Sequence, residues 1–201
     1  MKYFWDQIAV HWSATDYEWL ETGDYHEVIN VVNGNATLHK LTDINTPLFA
    51  STYGRNHNTI SLSFACMSPV GGTWASPPTE HMLDVGCKRL AELAILRGWP
   101  ADQLERKIMT HAEMAALRDY PRGLVEAYSN KAPSSSWDHL AQAAGLPHAN
   151  YGPSSWHDGW PGGDVVRWDL WQLKPSDQGG IGGHLLRVGV AEWMAKLEAA
   201  K

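Results

Sequence analysis

Three residues stand at the ends of apolar, β-rich runs or in loops leading from them: His11 in HWSAT, His111 in THAE and Asp169 in RWDLW. Two imidazoles and a carboxylate are an ordinary ligand set for catalytic zinc, which takes three protein donors at about 2.0 to 2.2 Å and keeps a fourth position for water. Water held in this way has its pKa drawn down towards roughly 7, and the ion also polarises a carbonyl, so the chemistry such a set supports is hydrolysis at neutral pH. The three residues are far apart in the chain, and spacing alone does not bring them together. A histidine at a strand end is more often a hydrogen-bonded surface or core residue, and that role stays open for both histidines.

Only a folded core could gather them, and the composition supplies one. Of 201 residues, 44% are hydrophobic and 19% charged, the balance of a folded soluble domain and not of a disordered chain. The length suits one domain, residues 1–201, better than two with a linker. Sixteen Lys and Arg against 22 Asp and Glu give a net charge of −6, and no stretch gathers the cations into a stripe, so nucleic acid is not the expected partner. No window approaches the roughly 18 consecutive apolar residues of a membrane span. The segment Met1 to Val10 interrupts its apolar residues with Trp5, Asp6 and Gln7, unlike a secretory signal. The chain is expected to stay in the cytoplasm where it is made, or to leave by a route that reads no signal. Cys66 and Cys87 fall in a strand-like and a helix-like segment, which fits reduced core thiols. The 11 tryptophans and 10 histidines suit ring stacking and metal binding, and an ordinary core as well.

The elements that must position these residues are legible in part. Ile8 to Ser13 reads as a short strand with His11 near its end. Tyr25 to Val32 is rich in β-branched residues, Asn33-Gly34 is a hairpin signal and Ala36 to Leu41 forms the return strand. Thr59 to Ala65 alternates apolar with small polar residues, the pattern of a strand packed on one face and half-buried on the other. Ser76-Pro77-Pro78 starts a helix with Met82, Val85, Leu90, Leu93 and Ala94 at helical spacing, closed by Gly98 and Pro100. Lys107 to Thr110 is a further short strand that delivers His111, and Ala112 to Arg118 holds good helix formers. Residues 121–163 carry five of the 11 prolines and read as a long irregular insertion, a type of segment that is usually functional. A helix from about Gly183 to Ala199 presents Leu185, Leu186, Val190, Trp193, Met194 and Leu197 on one face.

The order HWSAT, YHEVI, NHNTISLSF, a long amphipathic helix, THAE and RWDL resembles the zinc-dependent N-acetylmuramoyl-L-alanine amidases of the type 2 family. That family includes phage endolysins and is similar to peptidoglycan recognition proteins. The resemblance runs from about His11 to Leu170 and rests on the order of the motifs, each weak by itself. It implies an α/β fold with a central mixed β-sheet flanked by helices, one Zn2+ in a surface groove, and hydrolysis of the amide that joins muramic acid to L-alanine in peptidoglycan.

Carried over position by position, the resemblance places the metal ligands at His11, His111 and Asp169, with Asp164 as a competitor for the third. It places Tyr25 near the reacting water. It also places Arg167 where the family usually has Lys, as a cation that shares the charge of the oxyanion, here with a planar donor fork. One position departs from the pattern: some members carry a catalytic Glu on the strand TISLSFA, and here Ser63 stands there. Glu27 is a candidate substitute, since two residues from Tyr25 along a strand puts both side chains on one face about 6 to 7 Å apart; the commoner role is a solvated strand carboxylate. Glu113 either steadies His111 from behind or simply favours the first turn of a helix. Trp137, Trp156 and Trp160 are candidates to line a glycan groove, whereas Trp168, Trp171 and Trp193 are expected to pack against the sheet. His57 is expected beside the groove, and His139, His148, His157 and His184 at the surface.

The expected function is therefore that of a peptidoglycan hydrolase acting as a monomer. Its competitors are a non-catalytic peptidoglycan-binding module and a zinc hydrolase of another amide. A phage or prophage endolysin released through holin pores to the periplasm or cell wall, a cytoplasmic recycling amidase and a secreted antibacterial effector would share one site. The lack of a signal and of a separate wall-binding domain favours the first.

Overall fold

The computed structural model describes residues 5–13, 15–20, 23–48, 58–68, 76–111, 113–114, 173–174 and 182–201. The expected insertion at 121–163 lies outside them, as do Arg167 and Asp169. The chain forms two compact units, one of residues 1–109 with 186–201 and the other of residues 110–185.

The first unit is built on strands β1 (Gln7–Trp12), β2 (Glu27–Val32), β3 (Asn35–Lys40), β4 (Thr59–Phe64) and β5 (Ile108–Thr110), whose last residue begins the second unit. They form one sheet in the order β3-β2-β4-β1-β5. β4 runs parallel to both β1 and β2, while β3 is antiparallel to β2. The antiparallel pair is the hairpin that Asn33-Gly34 signals: both turn residues adopt positive φ, 51° and 78°, as a two-residue turn between right-twisted strands requires. The sheet is thus mixed and carries helices: the α/β class expected.

Helix α1 (Glu80–Arg97) begins four residues after Ser76, later than the Ser-Pro-Pro entry suggests, because Thr79 is the cap: its side chain accepts the Met82 N–H at 3.1 Å. Gly98 ends it at φ 67°, a left-handed conformation that glycine adopts without strain. A short 3-10 turn (Ala101–Gln103) and α2 (Leu104–Lys107) lead to β5, and α3 (Gly182–Ala199) closes the chain.

Residues paired across neighbouring strands share a face, and the register sorts the sheet into two. Ile8 with Ile60, Val10 with Leu62 and Glu27, and Trp12 with Phe64 and Ile29 make one face; Ala9 with Ser61, and His11 with Ser63, Val28 and His39, make the other. α1 lies on the apolar face. Gly86 permits the approach, since a methyl group at this residue would collide with the Phe64 ring and press on Ile29 Cδ1. From Leu186 onwards α3 packs beside α1: Leu186, Val190 and Met194 are buried, the Cys87 thiol meets the Leu186 carbonyl, and Arg187 donates to the Ile108 carbonyl at 3.1 Å.

Two expectations change here. All six residues of β4 are buried, so its small polar residues are not half-exposed; Tyr25, Trp19 and Leu41 pack over Val28 and Ala65 on that side. Trp193 lies against α1, donating its indole N–H to Asp84 at 2.8 Å, with the ammonium groups of Lys88 and Lys196 near its ring. Both cysteines are buried free thiols as expected, and burial pushes the Cys87 thiol up to about 12, so it has no tendency to ionise.

Candidate active site

The HWSAT segment turns from strand to loop at the end of β1, and its hydroxyl residues fix that exit. Ser13 donates its backbone N–H to the Phe64 carbonyl at 2.9 Å, and its hydroxyl reaches the same oxygen at 3.2 Å. The Ser13 and Thr15 hydroxyls share a hydrogen bond of 2.5 Å, and the Thr15 N–H donates to the Cys66 carbonyl at 3.0 Å. The exits of β1 and β4 are thereby stitched together. Beyond them Met67 takes φ 62°, uncommon for a side chain with a Cβ and the kind of strain that concentrates near functional sites.

His11 is fixed between these ties and the sheet, with 1% of its surface exposed. Its ring lies 5.3 Å, centre to centre, from the Tyr25 ring at a tilt of 54°. Tyr25 in turn meets Trp19 edge to face at 6.4 Å. The structure therefore brings two of the expected residues together: one expected to bind metal, the other expected beside the reacting water.

What holds Tyr25 is its neighbour. His26 is fully buried, and its Nδ1 accepts the Ser61 N–H at 3.0 Å. That acceptance places the ring proton on Nε2, which donates to the Thr46 carbonyl at 2.9 Å. The backbone of His26 adds a bond from its N–H to the Ser61 carbonyl, and its carbonyl accepts from Leu41 and Thr42. Burial, the largest influence, pulls this imidazole below its ordinary pKa, against the Thr46 hydrogen bond and the charges of Glu27 and Asp43. His26 is a neutral clamp that ties the start of β2 to β4 and to the 41–46 segment.

Glu27 is corrected. It pairs with Leu62, while His11 pairs with Ser63, so it lies on the opposite face of the sheet from His11. The two-residue spacing from Tyr25 does not place them together, because β2 starts only at Glu27 and Tyr25 precedes its alternation. Nor is it solvated: it is 1% exposed and gripped by Arg89 of α1 through Nε at 2.8 Å and Nη2 at 2.6 Å. A carboxylate held by both prongs of a guanidinium is a structural ion pair and not a free base.

In the second unit His111 directly follows β5 and is half-buried. Around it, THAE forms a reciprocal cap: the Glu113 N–H donates to Thr110 Oγ1 at 3.2 Å, and the Thr110 N–H donates to Glu113 Oε2 at 2.9 Å. Glu113 is buried, and a methyl group at Gly183 in the first turn of α3 would collide with its carboxylate. Glu113 is thus neither a generic first-turn acid nor a mere neighbour of His111: a Thr followed three residues later by Glu is the capping-box signature, and the two hydrogen bonds complete it.

Asp169, Arg167, the competitor Asp164, the groove candidates Trp137, Trp156 and Trp160, and His57 lie outside the described residues. Among the described residues no group of three or more His, Cys, Asp or Glu side chains is placed to hold a metal ion, and no helix is long and apolar enough to cross a membrane.

No family model matches the sequence, and no curated protein does. Among solved structures the chain is similar to AmpDH3 from Pseudomonas aeruginosa, at 16% identity and a TM-score of 0.42 over 71% of this chain; it spans 60% of the length of AmpDH3. AmpDH3 has also been solved in complex with an anhydromuramic pentapeptide. A second likeness is to the N-acetylmuramyl-L-alanine amidase AmiD from E. coli in complex with anhydro-N-acetylmuramic acid-L-Ala-D-γ-Glu-L-Lys, at 14% identity and a TM-score of 0.46, covering 100% of this chain and 92% of that one.

Proposed function

We propose that the chain is a zinc-dependent peptidoglycan amidase that hydrolyses the bond between N-acetylmuramic acid and L-alanine, with His11, His111 and Asp169 as ligands, and that it serves as a phage or prophage endolysin. The observation that carries the reading is the buried His11 at the exit of β1 with the Tyr25 ring against it. Two motifs 14 positions apart in the sequence meet at the place where the resemblance puts a ligand and its neighbouring phenol. The donor chemistry fits: two imidazoles and one carboxylate suit zinc and leave room for a reacting water. Zinc, when bound, supplies the Lewis acidity that activates water and polarises the scissile carbonyl.

The remaining work falls to the chain. Tyr25, rigid because His26 holds its backbone, orients the water or donates to the oxygen that gains charge. Arg167 shares that charge through its guanidinium. The amine leaves only after it receives a proton, and Glu27, clamped by Arg89 on the far face, does not supply it.

Purified protein incubated with peptidoglycan should release intact stem peptides, seen by mass spectrometry, and lose the activity on chelation and regain it with zinc. His11→Ala and His111→Ala should each lose metal and activity while remaining folded. New reducing sugar ends, or cuts between stem-peptide residues, would show that another bond is broken; a folded, metal-loaded and fully active His11→Ala would remove the ligand assignment.

A further inference from the structure

Among the described residues Ser63 carries a buried hydroxyl that the hydrogen bonds around it leave unsatisfied. It belongs to the row that runs from His39 through Val28 and Ser63 to His11, so its hydroxyl leaves the sheet on the His11 face, one strand spacing of about 4.8 Å from that histidine. Ser63 is 0% exposed, and its Oγ has no hydrogen-bond partner among the described residues. Neighbouring hydroxyls behave differently: Ser13 and Thr15 are both bonded. A buried hydroxyl without a partner is costly, and a strand position that packs between Val28 and His11 would accommodate alanine with no polar atom to satisfy. Unsatisfied buried polar groups in folded proteins call for an explanation, and an ordered water or a functional contact is the usual one.

We propose that Ser63 is a positioning residue of this site: its hydroxyl holds an ordered water on the His11 face and orients it beside the His11 and Tyr25 rings. A serine hydroxyl both donates and accepts, so it fixes the direction of a water's lone pair and proton together without carrying charge. No covalent step is involved, and Ser63 does not act as a base. The inference rests on the amidase reading for its reaction, and on the buried orphan hydroxyl for its residue.

The test uses full-length protein, wild type, Ser63→Ala and Ser63→Thr. In a high-resolution crystal structure, wild type should show a water within hydrogen-bond distance of Ser63 Oγ that is missing in Ser63→Ala. On peptidoglycan, Ser63→Ala should lower kcat about 10-fold or more with KM within about twofold. Its thermal midpoint in chelator-treated protein should stay close to that of wild type, since the hydroxyl and the water that satisfies it are lost together. Ser63→Thr, which keeps the hydroxyl, should recover most of kcat. No water at Ser63 overturns the proposal, and so does a water whose loss leaves kcat unchanged in an active enzyme, which would make it structural only. An inactive wild type overturns the amidase reading and Ser63's role with it, so failure of the parent reading is distinct from failure of the inference.

Discussion

At the scale of single residues, what decides a role here is which face of the sheet a side chain leaves from. Glu27 and His11 are both buried and both on central strands, yet one neutralises Arg89 under α1 and the other meets Tyr25 on the opposite side. Glu27→Gln should therefore behave as a stability mutant. Among the described residues it leaves Arg89 with Glu92, at 3.1 Å, as its remaining carboxylate, and should cost about 2 to 3 kcal/mol in denaturant unfolding, below the usual loss for a fully orphaned buried charge because one charged partner remains. The acidic limb of the pH-rate profile should keep its shape; a flattened limb in folded, metal-loaded protein would restore Glu27 as a general base. Tyr25→Phe should act on turnover, lowering kcat by roughly 10-fold or more, because the ring still packs on His11 while the phenol is gone. The sequence carried the residue types but not this division. Period-two counting fails at Tyr25 because strand geometry begins only at Glu27, and His26 between them bonds to Ser61 through both its backbone N–H and its ring.

Elements were easier to read than contacts, for a physical reason. β1, β2, β3, β4, α1 and α3 each announce themselves by local signals, such as β-branched runs, Asn-Gly, helical spacing or a closing glycine, and the observed boundaries fall within one or two residues, or at the helix starts up to four, of those signals. What stays hidden is which side chains of α1 meet the sheet. Val85 belongs to the expected apolar face but is only half-buried, whereas Gly86, with no side chain to suggest a core position, lies closest to Phe64. Gly86→Ala should then destabilise by about 1 to 3 kcal/mol despite alanine's better helix propensity, because the added methyl must displace a fully buried ring. Thr110→Ala tests the cap in the same way. Losing the acceptor for the Glu113 N–H should cost about 1 kcal/mol, and because the cap sets the turn that carries His111, zinc affinity should fall as well. A stable Thr110→Ala with unchanged zinc affinity would separate the cap from the proposed ligand.

At the scale of the whole molecule, the stability of the sheet has a pH dependence that can be assigned a sign. His26 bridges β2, β4 and the 41–46 segment as a neutral imidazole, and burial holds its pKa below the ordinary value near 6.5. The unfolded chain takes up its proton near 6.5, whereas the native protein resists until the pH is lower. Between those two values the unfolded state binds more protons, so stability falls as pH drops through that window and is unaffected by this group above it. Protonation would also break the bond from Ser61, because Nδ1 can no longer accept. His26→Asn keeps an acceptor for the Ser61 N–H but cannot titrate. It should be less stable than wild type at pH 8, through loss of the Thr46 bond, and the gap in thermal midpoint should narrow as the pH is lowered to 5. Activity should respond in parallel, since release of His26 loosens the backbone that fixes Tyr25 against His11. Midpoint curves that run parallel for the two proteins from pH 8 to 5 would mean that His26 is not the titrating clamp, and that the acid sensitivity of the fold arises elsewhere.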